Sequence, residues 1–130
     1  MTVKLTPTES ETIFHNALCN GLGYVEGYGI ELDFNKQDYA RAATVLKQGA
    51  TDTVCYEDVL LQILKDGKKL TMIDHECEGE YTRSITIKDV HKRVSQTPIR
   101  HLMNMINEED DAETADVVIQ SVFFKDVIFG

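Results

Sequence analysis

The chain has 130 residues, of which 42% are apolar and 27% are charged, and its formal net charge at pH 7 is -9. This length and composition fit one globular domain and exclude a fully disordered chain, because the apolar side chains suffice for a core. The chain lacks the run of roughly 20 apolar residues of a membrane span, an apolar signal segment and a rich set of cysteines, so we expect a cytoplasmic protein without membrane contact.

Apolar side chains recur at helical or strand spacing along most of the chain. Thr6 and Glu9 have the spacing of a capping box that starts a first helix, and the pair Asn20-Gly21 is its expected stop. Asn35 is a candidate cap of the second helix and Gly49 its stop. The further predicted elements are a strand over 28–34, a helix over 56–65, strands over 70–74 and 81–87 joined as a hairpin, and helices over 88–94 and 98–107.

The last segment has two interpretations. A helix capped by Asp110 or Asp111 could end near Phe124, followed by a short extended end. Alternatively, residues 117–124 and 127–129 could pair as strands. We favour the helix. The predicted fold class is therefore α+β, one domain over residues 1–130 with a small, mainly antiparallel sheet of about three strands packed with about five or six helices.

The charges form two opposed blocks. Residues 83–101 contain five bases and one acid, whereas residues 108–116 contain six acids and no base. Blocks of this kind mark surfaces that meet charged partners. We predict a non-catalytic protein–protein interaction or regulatory module that binds an unidentified basic protein through an acidic surface. The residues assigned to that surface are Glu108, Glu109, Asp110, Asp111 and Asp116.

The basic block contains the most specific motif. Its segment T-I-K-D-V-H-K-R-V-S-Q-T-P, at residues 86–98, resembles the opening of the helix-turn-helix in LacI-type repressors. The resemblance implies a DNA-binding regulator that uses residues 86–107 and sets its second helix into the major groove. His91 and Ser95 depart from the small residue and the turn glycine of that family, so two amphipathic core helices are the alternative. The implied nucleic-acid contacts are Lys88, Lys92, Arg93, Thr97 and Arg100.

Three further hypotheses remain open. The widespread acids could imitate the phosphates of DNA and make the protein an inhibitor of a DNA-binding protein. The apolar tail over residues 122–130 could pair with a second copy to form a homodimer. The loop 74–78 holds His75 and Cys77, which are plausible zinc ligands, but no paired ligand set accompanies them. We predict no catalytic residue, no bound metal and no cofactor.

Overall fold

The computed structural model describes residues 3–48, 54–109 and 111–130. Within these residues the helices and strands follow one another in the order that the sequence patterns predict. The elements are α1 (Pro7–Glu26), β1 (Ile30–Asp33), α2 (Lys36–Gln48), α3 (Tyr56–Lys65), β2 (Leu70–Asp74), β3 (Arg83–Ile85), α4 (Ile87–Arg93), a 3₁₀ turn (Val94–Gln96), α5 (Ile99–Ile106) and α6 (Ala112–Phe124). Gly49, the expected stop of α2, lies outside the described residues.

The three strands form one antiparallel sheet in the order β1-β2-β3. Leu32 lies opposite Met72, and Leu70 lies opposite Ile85. These apolar residues are buried on the same face of the sheet, which packs against α1, α3 and α6. Every described helix and strand contributes side chains to one hydrophobic core. The predicted α+β class with a small antiparallel sheet is confirmed.

The predicted end of α1 at Asn20-Gly21 is wrong. The Thr6–Glu9 capping box does start the helix, with the Glu9 backbone N–H donating to Thr6 Oγ1 at 3.1 Å. The helix then continues through Gly21 to Glu26. A Cβ atom on Gly21 would lie only 2.7 Å from the Cβ of Ala115 on α6. The glycine therefore allows two helices to approach closely, and the packing of that contact outweighs the low helix propensity of glycine.

The ambiguous C-terminal segment is a helix, as favoured from the sequence. Asp111 caps α6, because its Oδ1 accepts a hydrogen bond from the Thr114 backbone N–H at 2.9 Å. Residues 114–123 of α6 are all buried. Lys125 ends the helix in the left-handed conformation, with φ of 65°. The helix is thus enclosed on nearly all sides and forms the centre of the fold.

A pair of glycine substitutions tests the close contact between α1 and α6. We expect Gly21→Ala to lower the free energy of unfolding by about 1–3 kcal/mol, because the added Cβ would press on the Ala115 Cβ and on rigid backbone atoms. Gly23→Ala is the matched control, since nothing lies within 4 Å of its added Cβ. It should raise the free energy of unfolding by about 0.5–1 kcal/mol. Urea titrations measure both, and equal effects at the two sites would contradict the assignment.

Candidate functional site

The acidic residues follow directly on the end of α5. Asn107 is the C-cap of α5, and Glu108 after it has a left-handed backbone with φ of 57°. The Glu109 backbone N–H then donates to the carbonyl oxygen of Asn104 at 2.8 Å. Such a closure satisfies helix carbonyls and turns the chain sharply away from the helix. It leaves the Glu108 and Glu109 side chains exposed to solvent.

Three acids form the described part of this surface, which we call the acidic segment: Glu108, Glu109 and Asp111. Asp110 lies outside the described residues. None of the three makes an ion pair with any residue that the structure describes. The hydrogen bond from the Thr114 backbone N–H lowers the pKa of Asp111. The carbonyl end of α5 adds partial negative charge. Glu108 and Glu109 therefore carry negative charge that no described base pairs with, whereas the charge of Asp111 is partly compensated by the N-terminus of α6.

Asp116 does not belong to this surface, and its assignment to an exposed interaction site is wrong. The residue is only 4% exposed. Its Oδ2 accepts a hydrogen bond from the Tyr28 hydroxyl, and its Oδ1 accepts one from Gln120 Nε2, both at 2.8 Å. Burial and the bond to Asp116 raise the pKa of Tyr28. Asp116 points inward because α6 is buried around its circumference, so this acid links the turn between α1 and β1 to α6.

The proposed nucleic-acid contacts do not share one surface. Arg93 forms an ion pair with Asp89 at 3.1 Å and donates to the carbonyl oxygen of Val122 at 2.8 Å. Thr97 is buried. These two residues are therefore not available to DNA, which corrects their assignment. The exposed members of the predicted set are Lys88, Lys92 and Arg100.

One flank of the exposed surface of α5 is apolar. Ile99, Met103 and Ile106 are 45%, 40% and 39% exposed, and their spacing of four and three residues places them along one stripe. Leu102 and Met105 face the core instead. A helix that reads DNA needs polar side chains toward base edges, so this stripe fits apolar contact better. The sequence patterns did not lead us to predict this stripe. Its signal was the composition of α5: five of its eight residues are apolar, which is too many to be buried on one face of so short a helix.

A groove lies between the N-terminal part of α1 and the C-terminal end of α5; we call it the α1/α5 groove. Its volume is about 430 Å³. Ile106 belongs to both the groove and the exposed stripe, and Glu108 lies at its edge. The residues that line it are Val3, Lys4, Leu5, Thr8, Glu9, Thr12, Ile13, Asn16, Met105, Ile106 and Glu108. The groove thus joins apolar surface to the acidic segment.

A second cleft, of about 450 Å³, lies between α1, the start of α5, α6 and the C-terminal tail. Among its polar side chains, Tyr28, Arg100, His101 and Asp116 are hydrogen-bonded, whereas the exposed carboxylate of Glu113 also lines the cleft. Arg100 Nη2 donates to His101 Nε2 at 3.2 Å, so the proton of the ring is on Nδ1, which donates to Thr114 Oγ1 at 3.1 Å. Asp116 is engaged by Tyr28 and Gln120, as described above. These side chains stabilise the walls of the cleft rather than present free acid–base groups to it.

The loop 74–78 is organised by a carboxylate. Asp74 Oδ1 accepts hydrogen bonds from the backbone N–H groups of Glu76 and Cys77, both at 2.9 Å, and Oδ2 accepts one from Tyr81 at 3.1 Å. These bonds, the one from Cys77 first, lower the pKa of Asp74. Across the part of the chain that the structure describes, no three His, Cys, Asp or Glu residues are arranged to hold a metal ion. The hydrogen bonds of Asp74 are those of a polypeptide turn, so its carboxylate stabilises the conformation of the loop.

No protein-family model matches the chain, and the searches of curated proteins and of solved structures find no significant match. Among the described helices, none combines the length and the apolar character that crossing a bilayer requires.

The Asp74 carboxylate predicts a defined acid sensitivity. Because its pKa is lower in the folded state, the carboxylate stabilises the fold above the unfolded value of about 3.9. That stabilisation is lost as the pH falls through the lower folded value. We expect Asp74→Asn to be less stable than the natural chain at pH 6, with a gap that narrows below about pH 4. Urea midpoints across this range measure the gap.

Asp33→Asn serves as the control for this titration, since it removes an exposed carboxylate from β1. A stability gap for Asp74→Asn that stays constant from neutral to acidic pH would show that the carboxylate charge does not matter. In that case the substitution would act through packing or altered loop geometry.

Proposed function

We propose that the protein is a non-catalytic interaction module that binds a basic protein partner through the acidic segment. One observation carries this proposal: Glu108, Glu109 and Asp111 are exposed next to one another and unpaired with any described base. Like charges held close together repel each other and raise the free energy of the folded protein. Such a cluster therefore favours the binding of a partner that neutralises it.

Electrostatic attraction would act before contact. The net charge of -9 gives the whole molecule an attractive field for a cation, and the acidic segment concentrates that field at the end of α5. Complementary charge of this kind accelerates association and selects among partners more than it adds affinity. We also propose a cytoplasmic location, because Cys19, Cys55 and Cys77 are all free and exposed, which is typical of reducing compartments.

The DNA-binding alternative has less support. Lys88, Lys92 and Arg100 are exposed, but α4 and α5 each pack on α6, and an apolar stripe occupies part of the exposed surface of α5. The DNA-mimic alternative is a special case of the proposal, in which the basic partner is itself a DNA-binding protein. Competition by duplex DNA for a captured partner separates it from the general case.

The homodimer through the C-terminal tail is also less supported, because the tail is bound within its own chain. Gln120 Oε1 accepts hydrogen bonds from the backbone N–H groups of Ile128 and Phe129, both at 2.9 Å. The Phe129 ring stacks on Tyr28, with ring centroids 5.5 Å apart. A dimer through this segment would first have to break these contacts.

The proposal is tested by affinity capture with charge-matched variants. The acidic variant combines Glu108→Gln, Glu109→Gln and Asp111→Asn, the last of which keeps a capping oxygen. The control variant combines Glu31→Gln, Asp33→Asn and Glu80→Gln, so its net charge is the same. We expect basic proteins to be captured by the natural chain and by the control, and to be lost from the acidic variant.

Salt provides the second readout of this test. Raising the concentration from about 50 mM to about 500 mM shortens the screening length from roughly 14 Å to roughly 4 Å, so capture should fall steeply. Capture that is indifferent to salt and identical for both variants would refute the proposal. Nuclease-sensitive capture that Lys88→Glu with Lys92→Glu abolishes would favour the DNA-binding alternative instead.

A further inference from the structure

The apolar stripe on α5 continues into the α1/α5 groove, whose lining is partly apolar and partly polar. Ile99, Met103 and Ile106 run along the helix for roughly 10 Å, which is about two turns. At Ile106 the stripe meets the groove, whose apolar lining includes Leu5 and Ile13. The acidic segment begins directly after this point. Exposed apolar surface beside concentrated charge is typical of a protein interaction site.

The charges around this surface are asymmetric. Glu108 lies on the α5 side of the groove, whereas the opposite side holds Lys4 and Glu9, whose carboxylate accepts a hydrogen bond from the Thr6 backbone N–H in the capping box. The carbonyl end of α5 reinforces the negative potential beside Glu108. A ligand with cations at one end of an apolar face would therefore fit in a single orientation.

We propose that this surface is the docking site for a basic amphipathic α-helix of a partner protein. The apolar face of that helix packs on Ile99, Met103 and Ile106, while its Lys or Arg side chains reach Glu108 and Glu109. The inference rests on the proposed function and specifies the chemistry of the basic partner. Helix-in-groove binding of this kind uses apolar side chains spaced three and four residues apart.

Two other occupants fit this surface less well. An extended peptide binds by pairing with a sheet edge, but the edge strands β1 and β3 do not line the groove. A second copy of this chain would bring its own net charge of -9 toward this face. Like charges facing each other across an interface oppose binding. Charge complementarity therefore selects a basic helix.

The test uses a defined probe, a labelled synthetic peptide of roughly 18 residues, or about five helical turns. Leu occupies the positions of one helical face, and Lys occupies the rest. A second peptide has the same composition in a permuted order that forms no apolar face. Fluorescence anisotropy measures the Kd of each peptide for the full chain. We expect the amphipathic peptide to bind at least about tenfold more tightly than the permuted one.

Neutral substitutions on the stripe identify the docking face. Ile106→Gln and Met103→Gln should each weaken binding of the amphipathic peptide about tenfold. Val45→Gln is the matched control, because Val45 is also an exposed apolar helical residue but lies on α2. It should leave the Kd unchanged. Circular dichroism and urea midpoints establish that each variant is folded.

The outcomes separate the two proposals. If the acidic variant loses binding but Ile106→Gln and Met103→Gln do not, the acidic segment attracts cations and the docking site is refuted. If neither set of variants changes the Kd, the acidic segment and the docking site are both refuted as the binding surface. Equal affinity for the permuted peptide would show that no amphipathic helix is recognised.

Discussion

The close approach of α1 and α6 is the contact on which the rest of the structure depends. It is possible only because Gly21 has no side chain to meet Ala115. The approach is reinforced on the same two helices by Phe14 and Phe123, whose ring centroids are 6.4 Å apart. Since interiors are closely packed, a change at such a contact propagates to whatever rests on it. Here α4, α5 and the sheet all pack on α6.

The enclosure of α6 explains how the polar groups are sorted. Asp116 and Gln120 lie one turn apart within it, and each has hydrogen-bond partners for both of its side-chain polar atoms. Buried polar groups are tolerated when they are paired in this way. The pair joins the turn after α1 and the C-terminal tail to the central helix. Asp111 precedes the first turn of α6 and caps the helix from outside, so its side chain remains exposed.

The outer surface follows from the same packing. Helix α5 rests on α6 through Leu102 and Met105, which leaves Ile99, Met103 and Ile106 toward solvent. The turn after α5 then places Glu108 beside this apolar stripe. Apolar area gives affinity to an association, whereas nearby charge gives it speed and selectivity. Their juxtaposition supports a role in binding.

The sequence by itself determined the features that depend on local hydrogen bonds. The Thr6 capping box, the Asp111 cap, the antiparallel pairing of β2 with β3 and the order of the elements could be predicted because their partners lie a few residues apart. Only the tertiary structure decided the role of Gly21, the burial of Asp116, the hydrogen bond of Arg93 to α6, and the second apolar face of α5. These features depend on residues that are distant in the chain, such as Ala115 for Gly21 and Val122 for Arg93. A periodic sequence pattern shows which side chains share one face of a helix or strand, but tertiary packing decides which of these faces are buried.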